Sequence, residues 1–198
     1  MSVGQVHWHE GLFLQPHHLQ AMQRAHGELL RRERRGMLAY PYGVSELRIS
    51  TDALENMLVR IDRLRAVMPS GLEIDVPGNC DLPALDIKRA FQSGSGSFVV
   101  SLAAPLWQPD RANAVAANGS AAGLEDARVK RLFRVTEVNS PDENTGENPQ
   151  PMLMRRVNAR LVVEGEDTTD LELIPLLRIQ RAGDEKTLPR ADEGFVPP

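Results

Sequence analysis

The sequence predicts a mainly β protein, an antiparallel β-sandwich led by one N-terminal α-helix. Three observations carry that expectation: one helical pattern near the start, about six to eight later segments of strand length and strand periodicity, and turn-forming residues between them. With 198 residues, 41% of them hydrophobic and 25% charged, the chain can bury a real core, and one domain with long loops is expected.

The helix is expected over residues 16–35. Pro16 suits a first helical turn, where no backbone N–H is needed, and Gly36 suits the position past the end. Between them Leu19, Met22, His26, Leu29 and Leu30 recur at spacings of three and four, so one stripe faces a core or a partner. Arg31, Arg32, Arg34 and Arg35 crowd the last turn, where the helix dipole favours positive charge. That accounts for the basic run without nucleic acid.

After Gly36 the signals are those of strands. Residues 44–49 form a short candidate, followed by a turn at Ser50-Thr51-Asp52. Residues 57–68 form a longer one whose apolar phase changes midway, as a bulge or bend requires. Pro69-Ser70-Gly71 then turns the chain into Leu72-Glu73-Ile74-Asp75-Val76, whose alternation predicts an antiparallel hairpin. Residues 97–104 read as a buried strand, 129–138 as a half-buried one, and 152–163 with 171–180 as a pair turning at Gly165-Glu166-Asp167. Mobile loops are expected at about 108–126, rich in Ala, Asn and Gly, and at about 139–150, polar throughout.

Composition excludes several functions. A net charge of −4 and an aromatic content of 5% argue against nucleic-acid binding. Cys80 is alone and has no neighbouring His in sequence, so neither a disulfide nor a thiolate zinc site is available, and it reads as structural filler. No run approaches the ~20 apolar residues of a membrane span and no signal peptide opens the chain, so a cytoplasmic location is expected. Gly94-Ser95-Gly96 lacks the Lys-Ser/Thr of a phosphate loop, and no serine or carboxylate catalytic pattern is present. All five histidines, His7, His9, His17, His18 and His26, lie near the N-terminus. His7 and His9 share a face if extended, but His18 and His26 would lie about 12 Å apart along a helix, too far for one ion. No catalytic, cofactor or metal residue is therefore assigned.

The segment Val6-His7-Trp8-His9-Glu10-Gly11-Leu12-Phe13-Leu14-Gln15-Pro16-His17-His18-Leu19-Gln20 resembles the opening pattern of the TssK (ImpJ/VasE) family of type VI secretion baseplate proteins. Trp8, Glu10, Gly11, Phe13, Leu14, Pro16, His18 and Gln20 fall in register, while His17 stands where Gln is usual and Leu19 where Phe is common. Tyr40-Pro41-Tyr42-Gly43-Val44, Met68 to Asp75, Leu173 to Ile179 and Gly194-Phe195-Val196-Pro197-Pro198 resemble later family steps.

The resemblance implies that residues 1–193 are an N-terminal shoulder similar to the shoulder domain of phage receptor-binding proteins, and that 194–198 begin a linker to a helical neck. It implies a structural, non-enzymatic subunit of the cytoplasmic baseplate at the inner membrane. The shoulder would dock a trimer onto a TssF–TssG wedge, while other regions face the TssL/TssM membrane complex. No cofactor, nucleic acid or small-molecule substrate is implied. The isolated chain is expected to be monomeric or weakly associated. Candidate protein-interaction residues are Trp8, Glu10, Leu12, Phe13, Leu14, Pro16, His18 and Gln20. Trp8, Phe13 and Leu14 either complete the sandwich core or are covered by a partner. Two readings from other classes remain: a metal-binding β-barrel enzyme using His7, His9 and another His, and a carbohydrate- or receptor-binding sandwich, for which Trp8 and Trp107 offer little aromatic surface.

Overall fold

Local pattern and long-range pairing build this chain in turn. Its computed structural model describes residues 4–92, 96–115, 130–181 and 188–198. Two compact units result, Met1–Pro41 and Tyr42–Pro198.

The first unit is built on helix α1, Pro16–Met37. Its start is the expected one, with Pro16 in the first turn after the extended Gln15. Its end is two residues later than the sequence suggests. Gly36 does not act as a left-handed cap; the helix runs through it, and Leu38, already extended, donates its N–H to the Arg34 carbonyl at 3.0 Å. None of the helix residues is buried.

The second unit contains the core. Strands β1 (Gly43–Ile49), β3 (Ile61–Val67) and β4 (Glu73–Val76) form an antiparallel sheet in the order β1-β3-β4. The β3–β4 hairpin is the expected one: Gly71 takes a φ of +86° and donates to the Met68 carbonyl at 2.7 Å, a turn geometry that favours glycine. Ser50-Thr51-Asp52, expected as a turn, instead opens a short helix α2, Thr51–Glu55. Ser50 Oγ accepts the Ala53 N–H at 3.3 Å, so the same residue chemistry serves as a helix cap.

The phase change in residues 57–68 is the expected irregularity: within β3 the register against β1 shifts, Arg63 facing Arg48 and Ile61 facing Ile49, so Asp62 is extra and the buried phase moves from Ile61 to Leu64. Strand β2 (Leu58–Val59) pairs with β5 (Leu85–Asp86), and after Arg60 the chain enters β3. A short helix α3, Lys88–Gln92, follows β5.

The largest sheet contains β6 (Ser97–Pro105), β10 (Arg160–Val163), β11 (Leu171–Arg181) and β12 (Pro189–Ala191) in the order β10-β6-β11-β12. The expected hairpin between 152–163 and 171–180 is therefore not formed. Strand β6 lies between β10 and β11 and pairs antiparallel with both. As a central strand β6 buries Leu102, Ala103 and Ala104 in succession. Pro175 can sit in central β11 because the register shifts between Pro175 and Leu177, leaving Leu176 as an extra, fully buried residue.

The remaining sheet joins β7 (Ala114–Val115), β8 (Phe133–Ser140) and β9 (Gln150–Val157). Strands β7 and β8 run parallel, while β8 and β9 form a long antiparallel hairpin. The strand expected at 129–138 thus begins at Phe133. Strand β7 and the Asn113 side chain, which accepts from Gln108 N–H at 2.8 Å, organise the start of the Ala-rich stretch; residues 116–129 lie outside the described residues. The polar stretch is a loop tip tied by hydrogen bonds from Asp142 N–H to Glu147 O and from Gly146 N–H to Asp142 O, at 2.9 and 2.7 Å.

Leu64, Ile74, Ile87, Val100, Leu102, Ile174, Leu176 and Ile179 are fully buried and belong to one cluster fed by both large sheets, an arrangement compatible with a sandwich. Each contributes about 1.5–3 kcal/mol by transfer from water. Glu172 adds a polar tie between them, accepting from Ser70 N–H and Oγ at 2.8 and 2.7 Å. At the sheet entrance, Val44 N–H donates to the Pro198 carbonyl at 2.6 Å. A Cβ on Gly43 would stand 2.6 Å from that oxygen, and its φ is +137°, so only glycine fits there.

Candidate functional site

The candidate segment is the extended lead and the first turns of α1. Gly11 bends the lead: its φ is +80°, and Leu12 N–H donates to the His9 carbonyl across the turn at 3.3 Å. The Glu10 carbonyl lies 2.9 Å from His9 Nδ1. Pro16 then starts the helix, and His18 closes its first turn. The Gln15 N–H donates to His18 Nδ1 at 3.1 Å, and the His18 N–H donates to the Gln15 carbonyl at 3.0 Å. His18 thus takes the position where a capping Glu or Gln is usual.

Between the lead and the helix lies a groove of about 310 Å³, with Val6, Trp8, Met22, Ala25, His26 and Leu29 among its lining residues. The Trp8 and His18 ring centroids are 6.3 Å apart at 58°. The walls are mixed, with Gln5, His26, Glu28 and Arg32 beside the apolar residues, and the Glu28 carboxylate is engaged by Arg31 and Arg32, each at 3.6 Å.

The large side chains of the apolar lead are exposed. Trp8 is 52% exposed, Phe13 80% and Leu14 55%, so they do not complete the core. Leu12 and His18 are half-buried, while Glu10, Pro16 and Gln20 are exposed. The predicted residues therefore share one short segment, and its large side chains remain on the surface. Leu19, Leu29 and Leu30 on α1, then Met37, Leu38 and Tyr40, extend this apolar surface along the unit. No role was assigned from the sequence to the consecutive apolar pair Met37-Leu38, which could have signalled that extension. A second exposed run, Met152-Leu153-Met154 on β9, was read as an ordinary strand.

His7 and His9 do share a face, with ring centroids 5.7 Å apart. Among the described residues, however, no three His, Cys, Asp or Glu side chains come together as a metal site would need, and the metal-enzyme alternative has nothing to stand on. Cys80 is fully buried, and burial pushes its thiol pKa up, so it stays a thiol and not a nucleophile. Its backbone bridges to Val157 beside the Arg156 side chain, which donates to the Pro77 carbonyl at 2.6 Å and to Asp81 at 2.8 Å. Among the described residues no helix is long and apolar enough to cross a membrane.

Comparison with known proteins adds kinship to this geometry. A family model described as "Bacterial Type VI secretion, VC_A0110, EvfL, ImpJ, VasE" matches residues 18–198. The type VI secretion system baseplate component TssK1 of Pseudomonas aeruginosa (strain PAO1) is 26% identical over 195 residues, 98% of this chain and 41% of that protein. The chain therefore spans well under half the length of that relative. Two solved structures share the fold with a TM-score of 0.85: a chain of the TssK-TssF-TssG baseplate subcomplex, at 22% identity with 98% of this chain and 62% of that chain covered, and a chain of the type VI baseplate complex, at 23% with 100% and 42%. A crystal structure of TssK follows at 0.81 and 19% identity, covering 99% of this chain and 42% of that one.

Proposed function

Since this chain belongs to the bacterial type VI secretion family of EvfL, ImpJ and VasE, we propose that it is the N-terminal shoulder of a structural baseplate subunit. In this reading residues 1–193 are the shoulder and 194–198 lead toward a helical neck. The shoulder docks a TssK-like homotrimer onto a TssF–TssG wedge. Regions outside this chain contact the TssL/TssM membrane complex, and the assembly works in the cytoplasm at the inner membrane. No catalysis, cofactor, nucleic acid or small-molecule substrate enters this role.

The observation that carries the proposal is the exposed apolar opening segment. Trp8, Phe13 and Leu14 stand at the surface around a Gly11 bend and a Pro16-started helix, which fix their positions. Large aromatic and aliphatic side chains held at a surface on a defined backbone are the usual anchors of protein interfaces. Leu12, half-buried beside them, supports the turn. Glu10, His18 and Gln20 supply a polar rim to the same segment.

Co-purification with a TssF–TssG wedge tests this, comparing the unchanged chain with Leu12→Asp and Phe13→Asp, and checking folding by circular dichroism. The expected result is capture of the unchanged chain and at least about tenfold weaker capture of the folded variants, roughly 1.4 kcal/mol. Equal capture of all three would remove the opening segment from the interface.

A further inference from the structure

We propose that His18 offers the docking surface a fixed hydrogen-bond donor, its Nε2–H, and that the protein covering the opening segment presents a carbonyl or carboxylate oxygen to it. This rests on the docking reading above and names the chemistry its partner must bring to one position.

The place of the proton follows from the helix cap. Gln15 N–H donates to His18 Nδ1 at 3.1 Å. A backbone N–H can only donate, so Nδ1 must be the bare, accepting nitrogen. A neutral imidazole carries one N–H, which therefore stands on Nε2. The other tautomer and the imidazolium would each set an N–H against the Gln15 N–H and break the cap. The turn is closed from both sides, since His18 N–H donates to the Gln15 carbonyl at 3.0 Å. From the lead segment the Trp8 ring lies against the imidazole, 6.3 Å away between centroids and tilted by 58°.

Nε2 is left over. It lies across the ring from the cap, and among the described residues no group pairs with it. The buried polar side-chain atoms that lack a partner are, among the described residues, Asp75 Oδ1, Thr136 Oγ1 and Arg156 Nε, and His18 Nε2 is not one of them. On a half-buried ring it is therefore open to water in the free chain.

Covering the segment removes that water. Trp8, Phe13 and Leu14 are the anchors of the docking reading, and His18 stands against Trp8. A partner that buries Trp8 also seals the ring beside it. A donor sealed without an acceptor weakens binding, whereas one met by an oxygen gives direction to an otherwise apolar contact. Because the cap fixes which nitrogen holds the proton, the partner's group must be an acceptor. A backbone N–H or an ammonium brought to the same place would meet the Nε2 proton head-on.

Three substitutions separate cap from donor. His18→Gln keeps both, because a side-chain amide accepts through its oxygen and donates through its nitrogen. His18→Glu keeps the cap and loses the donor, because a carboxylate only accepts. His18→Ala loses both. Protection of the Gln15 amide against hydrogen exchange in the isolated chain reads the cap, and co-purification with a TssF–TssG wedge reads the donor. Capture of His18→Gln should stay within about threefold of the unchanged chain, and capture of His18→Glu should be at least about tenfold weaker although its Gln15 amide stays protected. His18→Ala should lose protection and capture together. Nitrogen NMR of the isolated chain at mildly alkaline pH should show the His18 proton on Nε2. Equal capture of His18→Glu and the unchanged chain, capture of His18→Gln as weak as that of His18→Glu, or a proton on Nδ1 would each overturn this proposal and leave the docking reading standing. A wedge that fails to capture the unchanged chain would remove that reading and this one with it.

Discussion

Leu29 on α1 and Leu102 on β6 are the same side chain in opposite surroundings: the first is more than half exposed, the second fully buried. Around Leu102 the strand is central, its neighbours β10 and β11 pair on both sides, and apolar residues fill both faces. Leu29 instead lines the groove between the lead segment and its own helix. Apolar periodicity therefore says that a face will be covered, not that this chain covers it. The β body has a core to lose; the helical unit has a surface to offer.

The sharpest test of that contrast makes one substitution in both places. Leu102→Ala should destabilise the β body by about 2–5 kcal/mol, whereas Leu29→Ala should stay within about 0.5 kcal/mol, both read from urea unfolding. Comparable losses at the two sites would show the helix stripe to be part of the core. Smaller in scale is the cap of α2. Ser50→Ala removes the acceptor for Ala53 N–H and for Arg60 Nη2, the latter at 2.9 Å, and should cost about 1 kcal/mol in the same measurement. A change below a few tenths would mean that the α2 start is held by its chain neighbours instead.

The smallest expected effect lies on the exposed rim of the β body. Asp167 accepts hydrogen bonds from Thr169 N–H, Thr169 Oγ1 and Lys130 Nζ, which lower its carboxyl pKa from 3.8 to about 2. The folded state favours the carboxylate, so its contribution is complete above about pH 4 and is lost as pH falls from there toward 2. Carboxyl NMR should place the Asp167 midpoint near 2, and Asp167→Asn should flatten that part of the acid-stability curve. A midpoint at the ordinary 3.8 would sink this account.

Local chemistry was legible in the sequence, and long-range order was not. Pro16 marks the start of α1 because its ring fixes a helical backbone angle, and Pro69-Ser70-Gly71 marks the β3–β4 turn because glycine supplies a positive φ. Gly36 misleads for the converse reason: glycine permits a helix stop without forcing one. The insertion of β6 between β10 and β11 joins residues 57 to 83 positions apart, and nothing in the alternation of either segment encodes which neighbour it takes. The candidate site divides in the same way. Its residues were found by their resemblance to a family's opening pattern, but their exposure could not be read, because Trp8 and Phe13 are as apolar as any core residue. His18 was counted among possible ligands, and its ring is used to cap a helix.

The bond from Val44 to Pro198 has a mechanical consequence. Gly43, at the start of β1, and Pro198, at the other end of the β body's chain, touch. Tension pulled through both ends would first peel that contact and the start of β1 away from β3, one hydrogen bond at a time. It would not shear β6 against β11, where the bonds would have to break together. Under load the body would behave as a bead hung from a single knot, with its interior kept out of the line of force.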